Sequence, residues 1–288
     1  MNNIINCKAI RDKYIEELKQ KDLTGCTVAF VQVGNVSSSN IYVRNKINLC
    51  KEVGIEVEHC QLSETITEEQ LLATIDMLNK CSAITGMLVQ LPLPAYIDEN
   101  KIINAIDPNK DIDGFSNYHK GKLLNGDKDA ILPCTPKGIM TILKEEGIDL
   151  NGKDVVVVGR SNIVGKPLSI ALINAGATVT CCNSKTDKEV LISHIANSDI
   201  FISAIGQPNY FNKDFFLNNF LPPEYLDDTI MVDVGINKDE NNKLCGDVDK
   251  ELYPYFKRVT SVPGGVGVMT VCEVLSNIVE LYERNRGE

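Results

Sequence analysis

Residues 151–176 read NGKDVVVVGRSNIVGKPLSIALINAG, and this stretch decides the fold. A glycine turn opens onto a run of valines, Val155 to Val158, which reads as a short strand buried on both faces, as in a parallel sheet. The strand ends at Gly159. The turn Arg160-Ser161-Asn162-Ile163-Val164-Gly165 leads into an apolar-periodic segment carrying Leu168, Leu172 and Ile173, and Gly176 stops it as glycine commonly stops a helix. In this order of strand, glycine turn and helix, the amides of the helix N-terminus point at whatever lies over the turn, and the helix dipole favours an anion there.

A pyrophosphate fits such a turn. The glycines at 159 and 165 do not follow the G-x-G-x-x-G spacing, so the turn alone suits an ordinary strand-to-helix connection equally well. The next strand, Ala177 to Cys182, runs into Asn183-Ser184-Lys185-Thr186, where an NAD site would place an acidic residue for the ribose hydroxyls. Arg160, Ser184 and Lys185 together make a pocket for a 2′-phosphate, which favours NADP over NAD.

The chain has 288 residues, 43% apolar and 24% charged, enough for two domains of an ordinary globular protein. Its net charge of −10, with no block of Lys and Arg, argues against a nucleic-acid partner. No apolar run approaches a membrane span and the opening MNNIINCKAIRDK lacks a signal-peptide core, so a cytoplasmic protein without a membrane partner is expected. Ten cysteines are scattered without a C-x-x-C, and only Cys181-Cys182 are adjacent, in what reads as a strand interior. Reduced, buried thiols are expected rather than disulfides or a metal site.

Ile10, Tyr14 and Leu18 recur at four-residue steps and predict a helix over Cys7 to Lys19, packed on the first domain. Thr27 to Val33 reads as a strand closed by Gly34, and Ser37, Ser38 and Ser39 offer N-caps for a helix reaching about Val53. A strand at Ile55 to Cys60, a helix opened by Thr67-Glu68-Glu69-Gln70 and a strand at Ala83 to Gln90 complete a β-α-β-α-β layer. Prolines and glycines break the pattern between Leu91 and Pro136. Thr135 as cap and Pro136 in the first turn start a helix that Gly147 closes. Further strands end in or near glycine at Asp199 to Gly206, at Thr229 to Gly235 and near Val259, and the loop Ser261 to Gly267 leads into a last apolar-faced helix. The expected architecture is α/β, with residues 131–267 forming a Rossmann-like parallel sheet for NADP.

Several side chains could do chemistry. Ser39, Tyr42 and Lys46 share one helix face, although spacing alone reads them as a packing residue and a solvated charge. Gln90 falls at the carboxyl end of a strand, the edge where open α/β sheets bind ligands; a hydrogen-bond plug there is as good a reading. Asn109 to Gly114 imitates the start of a calcium loop, but Lys120 stands where a bidentate Glu is needed, so calcium is rejected. Asp113 before Gly114 is a turn residue or a carboxylate that recognises a paired N–H edge. Cys134 has no histidine near it in sequence, and a helix-entry position explains it better than a nucleophile does.

The segments SNIYVRNK (39–46), GMLVQLPLP (86–94), KDIDGF (110–115), PCTPKG (133–138), GRSNIVGKP (159–167) and PGGVGVMT (263–270) together resemble bifunctional methylenetetrahydrofolate dehydrogenase/methenyltetrahydrofolate cyclohydrolase, in order and over nearly the whole chain. The resemblance implies two α/β domains flanking a cleft, residues 1–130 being the folate-binding domain, with the last helix, 268–288, returning to it. It implies a homodimer formed through the cofactor domains. It also implies NADP-dependent oxidation of 5,10-methylenetetrahydrofolate to the methenyl cation, which water opens to 10-formyltetrahydrofolate. By motif, Tyr42 would stack on the folate, Lys46 would be catalytic base and acid, Gln90 would support Lys46, and Asp113 would hold the pterin edge. Gly159, Arg160, Ser161, Gly165, Ser184, Lys185 and the backbone near Ile236 would hold NADP, and Pro263, Gly264 and Gly265 would let backbone approach a flat ligand.

Water attacking a cationic carbon needs a base, and repulsion from that cation with partial desolvation favours a neutral lysine amine. A carboxylate would instead pair with the cation and stabilise the ground state. The chain departs from the family pattern at Asn183, commonly His, and at Val268, commonly Pro; losing that proline frees the unfolded loop by roughly 0.4–1 kcal/mol. Three competing readings are a dehydrogenase with weak or absent cyclohydrolase activity, a catalytically silent dinucleotide or folate sensor, and an unrelated hydroxy-acid dehydrogenase. Lys46 and Gln90 argue against the first, their co-occurrence with the cofactor turn against the second, and the placement of His59, His119 and His194 against the third.

Overall fold

The computed structural model describes residues 3–35, 37–219 and 221–287, with the backbone alone for 37–39, 41 and 42. The chain forms two compact units. One holds the residues up to Asp12 together with Thr135–Thr270; the other holds Lys13–Cys134 and the chain from Val271 onward. The residues before Lys13 thus group by contact with the unit holding Thr135–Thr270, whereas the sequence expectation keeps residues 1–130 together. Ile4 bridges Val259, and the Asn3 side-chain amide donates to the carbonyls of Tyr253 and Phe256, so the opening segment is an added edge of the other unit.

In the second unit, α1 (Cys7–Leu18) contributes its latter half, and β1 (Thr27–Val33), α2 (Ser37–Glu52), β2 (Glu56–Leu62), α3 (Glu68–Lys80) and β3 (Gly86–Val89) follow. The sheet is parallel, in the order β2-β1-β3. β1 is buried on both faces because each face meets its own core. Val28 and Phe30 join Leu88, Ile112 and the last helix, whereas Ala29, Val31 and Val33 join Met87, Val89 and the Leu71, Ile75 and Leu78 face of α3. Thr67 and Gln70 close a reciprocal capping box on α3.

The stretch after β3 is more ordered than its prolines and glycines predict. It holds α4 (Glu99–Ala105), capped by Asp98, and α5 (Asn117–Asn125), capped by Ser116 and ended by Gly126 in the left-handed region.

The chain re-enters the other unit within α6 (Cys134–Glu145), so Thr135 lies inside the helix rather than capping it. Its hydroxyl instead meets that of Thr270 at 3.2 Å. Then come β4 (Asp154–Val158), α7 (Gly165–Asn174), β5 (Thr178–Cys182), α8 (Lys188–Ala196), β6 (Ile200–Ser203), α9 (Lys213–Leu217), β7 (Ile230–Asp233), a small hairpin of β8 (Asn237–Lys238) and β9 (Leu244–Cys245), and β10 (Arg258–Val259). The main sheet is parallel, in the order β10-β7-β6-β4-β5. Val155 to Val158 are all buried, each contributing about 1.5–3 kcal/mol of apolar transfer. Cys181 and Cys182 both lie in β5 as expected, but β5 is an edge strand, and of the two only Cys182 is buried.

α10 (Val266–Arg286) closes the chain, its first turn in this unit and the remainder in the other. All ten cysteines are free thiols, and burial pushes Cys7 and Cys50 up to about 12. No helix among the described residues is long and apolar enough to cross a membrane.

Candidate active site

In the β2-β1-β3 unit, three of the expected residues come together at the carboxyl edge of the sheet. Gln90 follows β3, its amide held by the Val31 carbonyl of β1 at 2.8 Å. Its side-chain Nε2 donates to the Leu91 carbonyl at 2.7 Å, which leaves Oε1 to accept from Lys46 Nζ at 3.3 Å. Lys46 is half-buried on α2.

Asp113 sits in a tightly built turn. Asp111 is buried and takes the amides of Gly114 at 2.9 Å and Ser116 at 2.8 Å, so the carboxylate that imitated a calcium ligand is consumed by backbone donors. Gly114 has φ +65°, and a Cβ there would lie 2.3 Å from the Ile131 carbonyl oxygen, which admits only glycine. His119 ties the same turn down, its Nε2 on the Pro108 carbonyl and its Nδ1 receiving the Ile131 amide. Loss of solvation raises the Asp113 carboxyl above the ordinary range, and the Lys46 charge pulls it back down. Cys134 Sγ lies 3.9 Å from Asp113 Oδ1 and accepts from Asn277 Nδ2 at 3.5 Å, a buried structural thiol. Tyr42 is on α2 one turn before Lys46, but its side chain, like that of Ser39, lies outside the described residues.

In the other unit, β4 has β5 on one side and β6 on the other, so the strand order reverses between β4 and β6. That switch point is where doubly wound sheets bind ligands. Gly159 and Gly165 lie over it. A Cβ on Gly165 would be 2.0 Å from the Gly159 oxygen, and one on Gly159, where φ is +135°, would be 2.3 Å from the Ala204 oxygen. Ser161 braces the turn before α7: its Oγ accepts the amides of Val164 at 3.1 Å and Gly165 at 3.4 Å, which directs its own proton away from them. The amides of residues 160–163 have no acceptor among the described residues. A run of free amides in the turn that leads into α7, with exposed Arg160 beside it, matches the donors a dinucleotide's phosphates require.

Ser184 and Lys185 are exposed at the tip of the adjoining loop. Asn183 shapes that loop, its Oδ1 accepting the Lys185 amide at 3.0 Å, so the departure from His is filled by a turn-forming residue. Val268, in place of Pro, gives its amide to the Gly265 carbonyl at 3.1 Å, a bond proline lacks. Ile236 is half-exposed just beyond β7. Pro263, Gly264 and Gly265 belong to this same unit, between β10 and α10, with Gly264 at φ +101°.

Sequence reasoning missed one feature of this edge. Asp233, the last residue of β7, and Asp247, after the hairpin, are both fully buried, and Asp233 accepts the Asp247 amide at 3.0 Å. Only the neighbouring Gly235 and Gly246 hinted at it.

Comparison with known proteins identifies the family. "Tetrahydrofolate dehydrogenase/cyclohydrolase, catalytic domain" matches residues 5–113, and the NAD(P)-binding domain of the same family matches residues 133–286. The chain is 44% identical to the bifunctional protein FolD of Agathobacter rectalis over 292 aligned positions, covering 99% of this chain and 100% of that one. Among solved structures, the Campylobacter jejuni bifunctional FolD superposes with a TM-score of 0.90 at 39% identity, covering 98% of this chain and 99% of that one. The Trypanosoma brucei enzyme, solved with NADP cofactor and an inhibitor, gives 0.83 at 30% identity, covering 98% and 96%. The chain therefore belongs to the tetrahydrofolate dehydrogenase/cyclohydrolase family.

Proposed function

We propose that this chain oxidises 5,10-methylenetetrahydrofolate with NADP and then hydrolyses the methenyl product to 10-formyltetrahydrofolate. The observation that carries the reading is the Lys46 ammonium 3.3 Å from Gln90 Oε1, with the Asp113 carboxyl in electrostatic reach of it, at one sheet edge. NADP, when bound, accepts hydride from the methylene carbon. Arg160, Ser161, Ser184 and Lys185 would hold its phosphates, with Gly159 and Gly165 giving the backbone close approach and the Ile236 backbone holding a further part of it.

Asp113 grips the paired N–H edge of the pterin, an interaction that favours its ionised form, and Tyr42 stacks on the ring system. Lys46, as the neutral amine, takes a proton from the water that attacks the methenyl carbon. As ammonium it returns that proton to the ring nitrogen that leaves, while the second proton of the water is released as the formyl C=O forms. Gln90 keeps the amine aimed. Pro263, Gly264 and Gly265 line the flat ligand. The same reading makes the protein a cytoplasmic homodimer joined through the cofactor units, with residues 131–267 carrying the cofactor and the last helix serving the folate side.

The test is a paired assay of the wild type and Lys46→Ala. One arm follows NADP reduction with methylenetetrahydrofolate, the other loss of added methenyltetrahydrofolate. The variant should lose methenyl hydrolysis by about 10²-fold or more while still binding NADP. A wild type that reduces NADP yet leaves added methenyltetrahydrofolate at its uncatalysed rate would overturn the bifunctional reading, and light scattering checks the dimer.

A further inference from the structure

The edge that bears Ile236 is built on carboxylates with no chemical role in the reaction. Ser203 and Asp233 are the paired last residues of β6 and β7. Asp247 Oδ2 accepts the Ser203 hydroxyl at 2.9 Å and the Ile205 amide at 2.8 Å, and its Oδ1 accepts the Gln207 amide and Asn237 Nδ2, both at 2.9 Å. These donors fill the lone-pair directions of one carboxylate. Asp233 lies beneath it, accepting the amides of Gly235 at 2.9 Å, Asp247 at 3.0 Å and Val248 at 2.9 Å.

The bonds fall on two segments that flank the switch point. Ile205 and Gln207 bracket Gly206, whose φ is +68°, and they follow Ala204, whose carbonyl packs on Gly159. Gly235 and Asn237 bracket Ile236: a Cβ on Gly235 would lie 2.3 Å from Asp247 Oδ1, and Asn237 is bonded to that same oxygen. A Cβ on Gly246 would lie 1.8 Å from Asp233 Oδ2, so both carboxylates are sealed by glycine. The residues on either side of Ile236 are fixed while Ile236 itself is 50% exposed.

We propose that Asp247, seated on Asp233, is a positioning residue for the dinucleotide, locking Gly206 and the Ile236 backbone into one shelf at the sheet edge. The proposal rests on the NADP reading above. Removing Asn237 Nδ2 or halving the acceptor capacity of Asp247 frees the Ile236 side of the shelf and leaves the Lys46 group untouched.

The experiment is calorimetric titration of NADP into wild type, Asn237→Ala, Asp247→Asn and Thr229→Val, with thermal midpoints and methenyl hydrolysis measured alongside. Thr229→Val removes a buried hydroxyl bond to the Ser198 carbonyl at the opposite end of β7 and controls for lost stability. Asn237→Ala and Asp247→Asn should raise the NADP Kd, and the KM for NADP with it, by about fivefold or more, with kcat at saturation and methenyl hydrolysis near wild type. Thr229→Val should lower the midpoint at wild-type Kd. Asn237→Ala leaves both carboxylates in place and keeps the test open if Asp247→Asn fails to fold. If wild type binds NADP and Asn237→Ala binds it equally well, or if Kd merely tracks midpoint across all variants, the positioning role is refuted. If wild type does not bind NADP, the cofactor reading falls and this proposal with it.

Discussion

Gly165→Ala puts one methyl group where the structure has no room for it. The new Cβ would sit 2.0 Å from the Gly159 carbonyl oxygen, and real Cβ atoms essentially never come within 3.0 Å of such a neighbour. One of the two peptides must therefore shift by about 1 Å, and neither is the yielding tip of a side chain. Gly159 cannot retreat easily, because its own Cα faces the Ala204 carbonyl and its amide is bonded to the Cys182 carbonyl at 2.9 Å. Overpacking of this kind costs roughly 1–3 kcal/mol, or about 2–5 °C in thermal midpoint for a chain of this size. A displacement of about 1 Å in a positioned site can cost about 10²-fold in function. The assay is calorimetric NADP binding beside a thermal melt, with Gly152→Ala as comparison, since Gly152 has nothing within 4 Å of a built Cβ and its positive φ of +70° makes alanine costly through the backbone alone. Gly152→Ala should lose stability alone. Gly165→Ala should lose both stability and NADP affinity, and wild-type affinity in that variant would refute the close-approach argument.

Burial pushes Asp233 to about 7, its amide donors opposing and the Asp247 charge reinforcing the shift. Because the unfolded carboxyl releases its proton near 3.9, the folded state holds the extra proton between these values, and stability falls as pH rises through that window. The slope corresponds to about 2–3 kcal/mol between pH 5 and 7. The neighbouring Cys245 and Tyr253 are both shifted upward and stay protonated there. Urea melts at pH 5, 6 and 7 check the sign, and a wild type that gains stability relative to Asp233→Asn over this range contradicts it. Asn277 Nδ2 donates to the carbonyls of Ile112, which precedes Asp113, at 2.8 Å and of Leu132 at 3.0 Å. Asn277→Leu should cost about 2–4 kcal/mol by orphaning these acceptors, and a denaturation midpoint at the wild-type value would count against the bookkeeping.

What could be read from the chain beforehand was local. Four valines, a glycine turn and an amphipathic run lie within one stretch, so β4, the turn and α7 were legible as a unit. α4 and α5 were not, because short helices in a proline-rich stretch carry little periodicity; their signals were the caps Asp98, Ser116 and Gly126. Lys46 and Gln90 are 44 residues apart and became a pair only through their motifs, since spacing read each as ordinary. The Asp233 and Asp247 assembly left almost no local trace, because a carboxylate that accepts distant amides looks like any other acidic residue until the strands are laid side by side.

The chain passes between its two units at 12/13, 134/135 and 270/271, and each passage falls inside a helix, α1, α6 and α10 in turn. A portable module has its seams in exposed loops, where recombination or a protease can cut without breaking a hydrogen-bond ladder. Here every seam severs one. A fragment ending at Cys134 would also lack Cys272, Leu275, Ile278 and Leu281, which fill the core around Phe30 and Ile112. Cutting the chain at these seams would break three helices and leave the fragment ending at Cys134 with an incomplete core.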